Sequence, residues 1–147
     1  MAQRKPEILG LREDKCAGGR ALIVDHDENA LPIIKRLLEE AMYETTTAQS
    51  GLNALQLLSR GTFELVLLDD NLMDLSGEEI VRQVRTVGTG TPVVVMQSVP
   101  HSHDRAVQYA RLGACFFTDR SNPKAIAELV HDHFSRTLVC GHFSCKV

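Results

Sequence analysis

From about residue 20 onward, short continuous apolar runs alternate with stripes of apolar residues at helical spacing. Ala21-Leu22-Ile23-Val24 is apolar throughout and ends in Asp25-His26-Asp27, the pattern of a strand buried on both faces. Apolar residues then recur at Ile34, Leu37, Leu38 and Ala41, one face of a helix. Pro32 is tolerated only in that helix's first turn, where backbone N–H groups lack helical partners, which predicts a start near Glu28 or Asn29. Tyr43 to Ala48 is β-branched and Thr-rich, as expected of a second strand nearer the edge. Ser50 is a good N-cap for a helix carried by Leu52, Leu55 and Leu58 and stopped by Gly61.

The alternation continues. Phe63 to Leu68 predicts a third strand ending in Asp69-Asp70, and Ile80, Val81, Val84 and Val87 predict a helix after Gly77. Pro92 to Met96 is the fourth strand, and Ala106, Val107 and Ala110 form the apolar side of a weaker helix. Gly113 precedes a short strand over Cys115 to Thr118, and Asn122-Pro123 opens a last helix with Ile126, Leu129, Val130 and Phe134. Five repeats of strand then helix predict a doubly wound α/β fold: a five-stranded parallel sheet, order 2-1-3-4-5, with helices on both faces. Residues 1–19 show no sustained period and read as a flexible N-terminal segment. Residues 20–136 read as the domain and 137–147 as a C-terminal tail.

Composition narrows the class. The chain has 147 residues, 44% hydrophobic and 24% charged, average values that suit one globular domain. Sixteen Lys and Arg against nineteen Asp and Glu, with no basic block, disfavour direct nucleic-acid binding through a broad electrostatic footprint. No apolar run is long enough for a membrane span or a secretory signal, so the expected location is cytoplasmic, with no membrane partner. Cys16, Cys115, Cys140 and Cys145 then read as reduced thiols. The tail's His131, His133, Cys140, His142 and Cys145 fit no zinc-finger spacing, and a frayed terminus is the expectation there.

Sheets of this kind bind ligands outside the carboxyl ends of their strands, where the strand order reverses. Acids fall there twice: Asp25 and Asp27 after strand one, Asp69 and Asp70 after strand three. Neighbouring strands would make them converge, and several close carboxylates call for a cation. Mg2+, which takes one or two carboxylates and keeps several waters, is the expected metal. A carboxylate beside such a cation is a competent nucleophile toward phosphorus. Arg120, after strand five, is placed to offer a positive charge to the transferred oxygens, and Ser98 or Gln97, after strand four, a hydrogen bond.

Over about residues 20–136 the chain resembles the receiver domain of two-component response regulators. The segments that carry the resemblance are Leu22 to Asp25, Leu67 to Gly77, Pro92 to Val95 and Gly113 to Phe117. The second is the most specific, because it keeps the spacing from the acceptor aspartate to the glycine of the turn. The resemblance implies that Asp69 is the phosphoacceptor and that Asp25 is a metal ligand. It gives Asn71 a role as ligand through its backbone carbonyl, and makes Phe117 the aromatic whose rotation reports activation. It also implies a non-enzyme signalling module whose donor is a histidine kinase or histidine phosphotransfer protein. Output would pass to a downstream protein partner, with a homodimer possible; no room for a DNA-binding output domain is expected after residue 136.

The chain departs from the family at several positions. The second acid after strand one is His26, and Asp27 follows it. The hydroxyl residue ending strand four is Gln97, with Ser98 one place late. The lysine after strand five is Arg120, the proline after it Ser121, and the proline four past the acceptor Met73. Imidazole is usually neutral near pH 7, so with His26 in the metal set the pocket carries one fewer negative charge and should hold Mg2+ less tightly. Arginine lacks the compact charge of lysine but binds phosphate in bidentate fashion. Two readings stay open: a working phosphorylation switch, or a pseudo-receiver that acts by phosphorylation-independent protein contacts.

Two rivals come from other classes. Asp25-His26-Asp27 has the D-x-D form of a haloacid-dehalogenase-like phosphatase using Asp25 as nucleophile, but Asn29 stands where Thr or Val is expected. A phosphatase activity abolished by Asp25→Asn and kept in Asp69→Asn would identify that chemistry. A flavodoxin-like electron carrier would need a hydroxyl- and glycine-rich phosphate loop where this chain has Asp25-His26-Asp27, and no P-loop motif is present.

Overall fold

The computed structural model describes residues 19–87, 90–97, 103–114, 116–119 and 121–134. Five strands, β1 (Gly19–Val24), β2 (Tyr43–Ala48), β3 (Leu65–Asp69), β4 (Val93–Gln97) and β5 (Phe116–Asp119), form one parallel sheet in the order β2-β1-β3-β4-β5. Five helices connect and follow them: α1 (Ala30–Glu40), α2 (Gly51–Arg60), α3 (Gly77–Val87), α4 (His103–Arg111) and α5 (Pro123–Phe134). The expected fold class and strand order are both present.

The period-2 alternation of each strand divides the core in two. Leu22, Val24, Val66, Leu68, Val93 and Val95 face one way and pack with Ala54, Leu58, Ile80, Val81, Val84 and Tyr109 from α2, α3 and α4. Ala21, Ile23, Leu65, Leu67, Val94 and Met96 face the other way, against Leu31, Ile34 and Leu38 of α1 and Ile126 and Val130 of α5. Strands covered on both faces explain why the sequence shows solid apolar runs instead of alternation. Edge strand β2 keeps a half-exposed Thr-rich middle.

Several boundaries and faces differ from the sequence expectation. β1 begins at Gly19, inside the segment read as a lead-in, because Gly19 pairs with Tyr43. β3 starts at Leu65 rather than Phe63, and Glu64 leaves the ladder with its N–H on the Arg20 carbonyl. β4 and β5 each run one residue further, to Gln97 and Asp119. Leu52 and Val87, placed on apolar stripes, are exposed: Leu52 lies in the first turn of α2 and Val87 ends α3, where each stripe runs past the sheet. On α4, Ala106 and Val107 are half-buried and Ala110 is exposed, while Tyr109 is fully buried.

Helix starts follow the sequence more closely. Ser50 Oγ accepts the Asn53 N–H at 3.1 Å, and the Asn122 side chain accepts the Ala125 N–H at 3.1 Å. A second device was not legible locally. Asp74, in the β3–α3 loop, takes the N–H groups of Gly51 and Leu52, each at 2.9 Å, and so caps α2 from another part of the chain. Those two donors hold the Asp74 carboxyl below its ordinary pKa. Asp74→Ala is expected to lower stability by about 1 kcal/mol, the usual worth of a cap, read as a shift in urea midpoint. A depressed carboxyl stabilises above its unfolded pKa and loses that contribution as pH falls through the folded one. The midpoints of wild type and variant should therefore converge below about pH 4.

Candidate functional site

The sheet brings together the carboxyl ends of β1 and β3, which pair directly from Ala21↔Leu65 to Val24↔Leu68. Asp25 continues the face of Ala21 and Ile23, and Asp69 that of Leu65 and Leu67, so both carboxylates reach the same side of the sheet. Both are fully buried. The chain turns sharply after each, and in each turn the carboxylate captures the N–H two residues on: Asp27 N–H to Asp25 Oδ1 and Asn71 N–H to Asp69 Oδ1, both at 2.9 Å. These paired Asx-type turns fix the side chains without help from solvent.

His26 closes the cluster. Its Nδ1 lies 2.8 Å from Asp69 Oδ2 and 4.0 Å from Asp25 Oδ1, with a third of the side chain exposed. An ionised carboxylate can only accept, so the imidazole carries its proton on Nδ1 while it makes the bond to Asp69. One ligating atom from each of Asp25, His26 and Asp69 falls within 4.8 Å of the others. Two carboxylates and an imidazole at that spacing are a chemically sound donor set for a divalent cation, with less charge than an all-acid set.

The four acids expected to converge do not all do so. Asp27 turns back on its own loop, its Oδ1 accepting the Asn29 N–H at 2.9 Å and its carbonyl taking the Ala30 and Leu31 N–H groups that open α1. Asp27 thus helps to open α1. Asp70 follows the face of Val66 and Leu68 and so points to the opposite side of the sheet from Asp69. There its carboxylate meets Arg105 and Tyr109 of α4.

Among the other sequence-derived candidates, Asn71 is exposed just past Asp69. Gln97 is buried at the end of β4, paired in register with Asp119, and its Nε2 has no hydrogen-bond partner among the described residues. A buried amide donor of this kind is normally satisfied. Phe117 belongs to β5, opposite Val95 in the ladder. Ser98 and Arg120 lie outside the described residues, as does the Cys-containing tail.

Sequence reasoning missed Arg105 and Tyr109. Arg105 Nε lies 3.1 and 3.2 Å from the two Asp70 carboxylate oxygens, and Tyr109 Oη donates to Oδ1 at 2.8 Å. Burial, and then the hydrogen bond to Asp70, push the Tyr109 hydroxyl above its ordinary pKa, and the same carboxylate raises Arg105. The available signal was an acid directly after a buried strand, but nothing local says which distant helix it meets. No helix among the described residues is long and apolar enough to cross a membrane.

Comparison with known proteins agrees with this geometry. The chain matches the family model described as the response regulator receiver domain over residues 21–130. It is 31% identical over 111 residues to the transcriptional regulatory protein CusR of Escherichia coli, covering 76% of this chain and 48% of that protein. The chain thus spans about half or less of the length of these curated relatives. A CheY-like receiver domain from Methanospirillum hungatei superposes with a TM-score of 0.71 at 26% identity, over 78% of this chain and 91% of that one. A response regulator from Burkholderia pseudomallei, solved with a phosphorylated aspartic acid, calcium ion and citrate, superposes with a TM-score of 0.70 at 21% identity, over 81% and 69%. With the family model covering most of the chain and the sheet order and buried aspartates in place, the chain belongs to the response regulator receiver domain family.

Proposed function

We propose that this domain is a phosphorylation switch in which Asp69 accepts a phosphoryl group from a phosphohistidine donor, a histidine kinase or histidine phosphotransfer protein. The observation that carries the reading is the pair of fully buried carboxylates, Asp25 and Asp69, held side by side at the ends of β1 and β3. Asn71 N–H holds Oδ1 of Asp69, leaving Oδ2, on the His26 side, as the attacking atom. The new O–P bond forms as the P–N bond of the donor breaks, and that bonding pair leaves with the donor's imidazole. A divalent cation, expected to be Mg2+, would be held by Asp25, Asp69 and His26 with the Asn71 carbonyl, and would supply positive charge to the phosphoryl oxygens.

Each of this chain's residues has a part in that scheme. His26 must give up its hydrogen bond to Oδ2 before that oxygen can attack, so it acts as a brake, and Nδ1 would serve as a ligand only once its proton has moved to the other ring nitrogen. Gln97, whose buried amide donor at the end of β4 has no hydrogen-bond partner among the described residues, is suited to bind a phosphoryl oxygen. Ser98 and Arg120 are proposed to add a further hydrogen bond and a positive charge, and Phe117 to move with the change. A response regulator of similar fold from Burkholderia pseudomallei was solved with a phosphorylated aspartic acid and a calcium ion, which supports this reading. The receiver is proposed to act in the cytoplasm through a downstream protein partner, with residues 20–136 as its folded unit.

The His26–Asp69 bond also favours a second reading. A partly satisfied acceptor could leave the domain as a phosphorylation-independent interaction module. Beryllofluoride, an aspartyl-phosphate mimic, separates the two when followed by amide NMR. Mg2+-dependent shifts at Asp69 and Asn71, absent in Asp69→Asn, are expected; no response at millimolar Mg2+ would establish the second reading. A further test bears on the imidazole alone. His26→Asp restores a carboxylate to the donor set and should tighten Mg2+ binding roughly tenfold in a calorimetric titration.

A further inference from the structure

Outside the acceptor cluster, the most densely connected polar group is the carboxylate of Asp70. Arg105 reaches it through Nε at 3.1 and 3.2 Å and through a second nitrogen at 2.5 Å, and also binds the Asp70 backbone carbonyl at 3.2 Å. Tyr109 Oη donates to the same Oδ1 at 2.8 Å. The Asp70 N–H in turn donates to the Met96 carbonyl at 3.0 Å. The residue between Asp69 and Asn71 is therefore held at its N–H, its carbonyl and both carboxylate oxygens.

The two α4 residues lie four apart, one turn of helix, which lets them meet one acceptor. The Arg105 guanidinium also lies 5.9 Å from the centre of the Tyr109 ring. Tyr109 is the only buried residue of α4, so this helix has little apolar anchorage apart from it. The ring's position is further fixed by Gly77, the first residue of α3, where an added Cβ would stand 2.0 Å from the Tyr109 hydroxyl oxygen. Glycine at the turn thus makes the room that the tyrosine occupies. A part-buried pair with this many charge-assisted bonds has a more defined geometry than a single surface ion pair.

We propose that Asp70, Arg105 and Tyr109 form a polar clamp that docks α4 onto the acceptor strand and couples its position to the state of Asp69. Arg105 and Tyr109 act as positioning residues, through Asp70, on the segment that carries the acceptor. The coupling rests on the reading of Asp69 as acceptor; the docking does not. A displacement of the backbone at residues 69–71 changes the distance from Asp70 to two rigidly placed donors, and α4 has no comparable apolar contact to hold it in place.

Amide hydrogen exchange on the full chain tests the docking. Asp70→Asn keeps size and an acceptor but loses the charge, and should speed exchange of α4 amides about tenfold while α1 and α5 are unchanged. Tyr109→Phe keeps the ring in place and should speed α4 exchange about fivefold. Unchanged α4 exchange in both variants would overturn the proposal. The coupling is read with beryllofluoride and Mg2+: in wild type, α4 resonances should shift together with Asn71, and in Asp70→Asn the Asn71 shift should persist while the α4 shifts vanish. Shifts of α4 that survive in Asp70→Asn would refute the coupling. If beryllofluoride moves no resonance in wild type, the acceptor reading has failed, coupling fails with it, and the exchange arm alone decides the docking.

Discussion

Burying two carboxylates side by side is the constraint around which the top of this sheet is organised. Asp25 and Asp69 have no solvent exposure, and an isolated buried carboxylate is costly. Each is met by the N–H two residues further along its own chain, and Asp69 also by the His26 imidazole. Those bonds require sharp turns right after β1 and β3. The turns in turn set where α1 begins and where the β3–α3 loop departs. Site geometry and local chain path are therefore one arrangement.

The same strand end serves two sides of the molecule. Because successive residues of a strand point to opposite faces, Asp69 enters the cluster beside Asp25 while Asp70 crosses to α4. One peptide bond separates the group expected to react from the group that holds a helix. Asp74, a little further on, ties the loop to the start of α2. The segment after β3 thus contacts β1, α2 and α4 through three acids, each with its own partners, and is held far more firmly than an ordinary loop.

His26 gives this receiver its own chemistry. An imidazole beside Asp69 brings less negative charge than a carboxylate in its place would, and it occupies Asp69 Oδ2. It offers Asp69 a directional hydrogen bond. Under the proposed function, the exchange of that single hydrogen bond governs access to Asp69 Oδ2.

Much was legible in the residues themselves. Solid apolar runs such as Ala21 to Val24 and Leu65 to Leu68 identify strands covered on both faces, because a parallel sheet needs helices on each side. The stripes of Ile34, Leu38, Ile80 and Val84 mark the helices, and Ser50 and Asn122 their starts, since caps act within three residues. Asp25 and Asp69 stood out as charges closing buried strands. What the tertiary structure alone decided was which acids share a face. Asp70 and Asp27 carry the same chemistry as their neighbours, yet strand pleat sends one to Arg105 and Tyr109, and the other takes backbone N–H groups at the start of α1. Tyr109 was not among the residues expected on the apolar side of its helix, and its burial follows from the space above Gly77, more than 30 residues away. Local pattern records periodicity; partners distant in sequence are settled only when the sheet and helices come together.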